Sequence, residues 1–89
     1  MKTMRTLKAI PIENQAIPSE LINKLEDATG WEKTENGVYN DWYQHRWAFH
    51  YESEEMSIIN LSKKYPDFKL VLEDPNYTVI YYQGQVIQN

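Results

Sequence analysis

The chain has no cysteine. That absence excludes a disulfide framework, a thiolate metal centre and a cysteine nucleophile, and it suits a reducing compartment. Glycine is almost as scarce: Gly30, Gly37 and Gly84 stand alone, so no glycine-rich loop can cradle a phosphate. No stretch approaches the ~20 apolar residues of a transmembrane helix. Residues 1–15 carry Lys2, Arg5 and Lys8 but no apolar run of a secretory signal. The expectation is a soluble cytoplasmic protein.

What is present is aromatic and mildly acidic. The 89 residues, with no repeat or linker, read as a single domain over 1–89. So short a chain needs an efficient core, and 13% aromatic residues supply one. A net charge of −4 mildly repels nucleic acid at long range. Trp42, Tyr43, His45, Trp47, Phe49, His50 and Tyr51 crowd into one stretch. Such a stretch suits a central core strand, a base-stacking platform or a partner-binding face.

Thr6 to Ile12 reads as a strand, with Leu7 and Ala9 on one face and Lys8 and Ile10 on the other. Pro11 should weaken pairing there. A helix follows, capped by Ser19 and stopped at Gly30, with Leu21, Ile22, Leu25 and Ala28 as its apolar stripe. Trp31 to Glu35 suggests a short strand, Asn36-Gly37 a tight turn with positive φ angles, and Val38 to Asp41 a returning arm or a loop. Tyr43 to Tyr51 alternates with period two, which predicts a strand with Trp47 and Phe49 in the core. Ser53 can cap a second helix that Pro66 ends at Tyr65, with Ile58, Leu61 and Tyr65 in its apolar row. Met56 and Ile59 point away from that row and are expected to be exposed. Phe68 to Glu73, a turn at Asp74-Pro75-Asn76, and Tyr77 to Tyr82 predict a hairpin. Gln83-Gly84 offers a further turn into a short arm at Val86-Ile87.

This order predicts an α+β fold, a ferredoxin-like two-layer sandwich whose antiparallel sheet carries two helices on one face. The opposite face is either partly covered by the segment Trp31–Asp41 or free to bind.

Trp42-Tyr43-Gln44-His45 precedes the acidic pair Glu54-Glu55. An Ile58-x-x-Leu61-Ser62-Lys63-Lys64-Tyr65-Pro66-Asp67 run follows, then a hairpin ending in Tyr81-Tyr82 with a Gly84 turn. On these residues the span 41–82 resembles small phage- and plasmid-borne ferredoxin-like proteins of the YubB ferredoxin-like domain type. The link from the aromatic strand to the second helix is longer here, and the last hairpin is tighter. The resemblance implies a mobile-element setting, in which small acidic domains act as accessory factors or inhibitors of host defence. It supplies no catalytic residues.

His45 and His50, five apart, point to opposite faces of a strand and cannot converge on one ion, so no metal or cofactor is expected. An acid–base pair of His50 with Glu52 or Glu54 needs a pocket that a small two-layer domain seldom encloses, and Ser53 is better read as a cap. The chain is therefore read as no enzyme. Protein binding fits best, through Trp42, Arg46, His50, Met56, Ile59 and Tyr82. The acidic run Glu52, Glu54 and Glu55 either steers toward a basic partner, such as a nucleoprotein or defence effector, or simply solvates a helix start. In its sharpest form the expectation is an inhibitor of a CRISPR effector. The alternative is a single-stranded nucleic-acid-binding accessory protein using sheet-face aromatics and Arg46. A homodimer through a strand edge, or through Met56 and Ile59, is a further expectation. No membrane partner is expected.

Overall fold

The computed structural model describes residues 3–43, 52–75 and 77–88. Strand β1 (Thr3–Pro11) leads to helix α1 (Ser19–Thr29), strands β2 (Glu32–Glu35) and β3 (Val38–Tyr43), helix α2 (Glu52–Lys64), and strands β4 (Phe68–Asp74), β5 (Tyr77–Tyr82) and β6 (Gln85–Gln88). The six strands form one antiparallel sheet in the order β2-β3-β1-β4-β5-β6. The fold is α+β.

Both helices bury their apolar stripes in a single cluster. Leu21, Ile22 and Leu25 of α1 and Ile58 and Leu61 of α2 meet Leu7 and Ala9, Tyr39, Leu70 and Leu72, and Val79 and Tyr81 of the sheet. Each buried leucine, isoleucine or valine among them contributes about 1.5–3 kcal/mol on leaving water. Period two sorts β1 as expected, Leu7 and Ala9 inward and Ile10 outward. Pro11 is the last paired residue of its strand.

Helix α1 starts without the expected cap. Pro18 occupies that position, with no side-chain hydrogen bond there, and Ser19 is already helical. Its end is as expected: Gly30 is left-handed at φ 66°, and its N–H donates to Glu26 O at 2.8 Å. Helix α2 runs Glu52–Lys64, starting two residues before the position after the expected Ser53 cap and ending one residue before Tyr65, so Ser53 lies inside it.

The segment from Trp31 to Asp41 does not cover the sheet; it joins it. Trp31 is buried in the core, β2 is the edge, and Val38–Asp41 is a returning strand. At the turn only Gly37 takes positive φ, 79°, rather than both turn residues. A side chain there would meet the Ile17 Cδ1 atom at 2.6 Å, and Gly37 O accepts from Ala9 N at 2.8 Å. The tight turn with two positive φ angles occurs instead at Gln83 (52°) and Gly84 (79°), joining β5 to β6. Strand β3 reaches Tyr43. The rest of the strand expected over Tyr43–Tyr51, with His45, Trp47 and Phe49, lies outside the described residues.

Candidate partner-binding surface

Cross-strand register assembles the face of the sheet turned away from the helices. Val38, Lys8, Val71, Ile80 and Ile87 form one row across five strands. Asn40, Thr6, Glu73 and Thr78 form the next row on one side of it, and Ile10 pairs with Lys69 on the other. Met4, Ile10 and Ile87 remain 40–45% exposed. Among the described residues this face is open.

Its charges balance. Lys8 Nζ lies 3.2 Å from Glu73 Oε1, a pair at the middle of the sheet. Thr6 Oγ1 bonds Asn40 Oδ1 at 2.9 Å. Lys69 Nζ sits 5.8 Å from the ring centre of Tyr82, a cation–π contact that leaves the ring half-buried at the rim. Val71 is buried on this face, although no helix among the described residues covers it.

The helix side holds a second polar group. Arg5 of β1 is 1% exposed and donates from Nε (3.3 Å) and Nη2 (3.0 Å) to Asp41 Oδ2. Its guanidinium also lies 4.6 Å from the centre of the Trp31 ring. The Tyr81 hydroxyl donates to Glu55 Oε2 at 2.9 Å, and the Tyr39 hydroxyl donates to Ile22 O at 2.6 Å. Burial, with Glu26 a smaller influence, pushes the Tyr39 hydroxyl up to about 12. Burial and then Glu55 push Tyr81 further up. These phenols are neutral donors at ordinary pH, so they hold structure and do not act as bases. At the helix surface, Lys24 and then Lys64 hold the exposed Glu20 carboxyl down at about 2, tying α1 to α2.

The described residues among those singled out from sequence fall on three elements. Trp42 lies in β3, paired with Met4, toward one end of the sheet. Tyr82 lies beyond the other end, about six strand steps or ~20 Å away. Arg46 and His50 lie outside the described residues. Glu52, Glu54, Glu55, Met56 and Ile59 sit on α2, in the layer opposite the open face. Glu55 is occupied by Tyr81, and the Glu54 Oε2 atom is buried with no hydrogen-bond partner among the described residues. The acidic run is therefore not a uniform outward charge patch. Met56 is 48% exposed, as expected. Ile59 is not: it packs against the core cluster beside the main row, because α2 buries a wider stripe than one row. Sequence reasoning passed over Lys8, Ile10, Val71, Glu73, Ile80 and Ile87, although strand alternation was the signal that could have found them. Arg5 had no local signal, since its partner lies 36 residues on.

Among the described residues no three His, Asp or Glu side chains gather as a metal site. No helix there is long and apolar enough to cross a membrane. An open groove between the helices is lined by Lys24, Asp27, Ala28, Ser57, Asn60, Leu61 and Lys64. The fold defines a small α+β protein with one helix-covered sheet face and one that is open among the described residues. No family model matches the chain, and no curated protein or solved structure does either.

Proposed function

We propose that the chain is a non-catalytic binding protein that holds another protein on the open face of its sheet. The supporting observation is the row Val38–Lys8–Val71–Ile80–Ile87, which mixes apolar ground with a central, internally paired charge. Such a surface suits a protein presenting apolar side chains among charges of both signs. It suits a polyanion poorly, because Glu73 stands at its middle. The net charge of −4 favours a basic partner at long range. We read the β1-α1-β2-β3-α2-β4 succession, with sheet order β2-β3-β1-β4, as a ferredoxin-like core extended by β5 and β6. With the resemblance over 41–82, this supports reading the protein as a phage or plasmid accessory factor. Inhibition of a host defence complex such as a CRISPR effector is its sharpest form.

The test uses the full chain as bait in a lysate of its host. Wild type should capture a discrete partner, and Ile80→Lys should lose it while keeping the wild-type melting curve. Met56→Glu, on the other layer, should retain the partner. Equal capture by wild type and Ile80→Lys would sink the reading. Retention of labelled single strands, falling steeply with salt, would favour the nucleic-acid alternative instead.

A further inference from the structure

We infer that two copies of this chain join through the β6 edge, with β6 pairing antiparallel to its counterpart and α2 meeting α2 across the same junction. The two edges of the sheet differ in kind. Strand β2 exposes all four residues, carries Glu32, Lys33 and Glu35, and shifts register between Lys33 and Glu35. Charge and a bulge are the devices by which an edge resists a further strand. Strand β6 has neither. It reads Gln85-Val86-Ile87-Gln88, pairs with β5 in unbroken register, and leaves Val86 49% and Ile87 45% exposed. It also reads nearly alike in both directions. An antiparallel copy therefore sets apolar and amide residues together with no like charges opposed.

Helix α2 supplies the second half of the junction. Ser62 Oγ accepts from Gly84 N at 3.0 Å, and a side chain at Gly84 would meet Lys63 Cβ at 3.3 Å. The Lys63 side of the helix therefore lies over the turn that starts β6. One and two turns before Lys63 come Ile59 and Met56, on the same side. Met56 is 48% exposed and Ile59 half-buried. A two-fold axis normal to the sheet keeps both helix layers on one side, so it brings these residues against their copies as the edges pair. Four residues at ~3.3 Å give a junction ~13 Å long, and a helix layer on a sheet makes it ~20 Å deep. That footprint is below the usual size of a stable interface, so the dimer is reversible and depends on concentration.

Sedimentation equilibrium of the full chain over a wide concentration range tests this. The average mass should climb from 10.6 kDa toward twice that value. Val86→Lys and Met56→Glu, each placing like charges near the dyad, should each weaken association by ~10-fold or more. Lys33→Glu on the β2 edge and Ile80→Lys on the open face should leave the curve unchanged, which separates this inference from the open-face reading. Circular dichroism checks that each variant is folded. Should Val86→Lys unfold, Met56→Glu on a different element still decides. A wild type that stays monomeric overturns the inference, whether or not another protein's strand fills the edge. So does a dimer that survives both substitutions.

Discussion

Arg5 gave up its water to sit under the sheet, and its neighbours must replace what it lost. A guanidinium is the cation best suited to this, because its planar fork can donate to a carboxylate while its face lies on an aromatic ring. Asp41 and Trp31 fill those two roles. Replacing Asp41 by alanine should cost about 3 kcal/mol in urea unfolding, since a buried ion pair broken on one side leaves a charge poorly compensated. Arg5→Lys should not be silent either, because an ammonium cannot reproduce the fork. A loss below ~0.5 kcal/mol for Asp41→Ala, the range of ordinary surface changes, would show that the pair is no support of the fold. Tyr39 makes a second prediction. Its hydroxyl rises from 10.0 to about 12 on folding, so the folded state holds that proton more tightly than the unfolded chain does. The stability this confers is complete below pH 10.0 and is lost as pH rises toward about 12. Tyr39→Phe should be less stable at neutral pH by roughly 1 kcal/mol, for its lost hydrogen bond to Ile22 O. It should also show a shallower alkaline decline in melts taken across that window. An identical decline in both proteins would place the titrating group elsewhere, with Tyr81 the next to test.

Turns decide how the elements meet. Gly37 and Gly30 both have positive φ, yet only Gly37 is crowded: Ile17 Cδ1 and Ala9 Cβ lie within reach of a side chain, while Gly30 has nothing within 4 Å. Gly30→Ala should therefore cost about 1 kcal/mol, the backbone penalty alone. Gly37→Ala should cost more, because Ile17 must also move. Thermal melts of the two variants measure the difference directly. Equal losses would mean that Ile17 yields freely. The second helix shows the opposite dependence on context. Its apolar periodicity was plain, but which of its polar residues turned inward was not. Ser62 is wholly buried because it caps the Gly84 N–H, and Glu55 leans in because Tyr81 offers a hydroxyl. Neither partner is near in sequence.

For the molecule as a whole, the sheet presents two faces of different character. One is sealed by two helices, while the other mixes isoleucine and valine with a balanced pair of charges. Binding on the open face should be governed by area and fit, so partner affinity should change only modestly with salt. Measuring it at low and high ionic strength checks this, and a steep fall would mean that charge steering dominates.

Helix α1, the β4–β5 hairpin, the final arm and the α+β class were all legible in the residues alone. The reason is that 3.6- and 2-residue periods, a glycine stop and turn dipeptides act over a few neighbours. The placement of Trp31–Asp41 as two sheet strands, the burial of Arg5, the inward turn of Glu54 and Glu55, and the exposure of β6 as an unprotected edge were decided only by the folded chain. Each depends on which distant segment lies alongside. A strand records in its own residues that it has a buried side, but not what will lie against its edge.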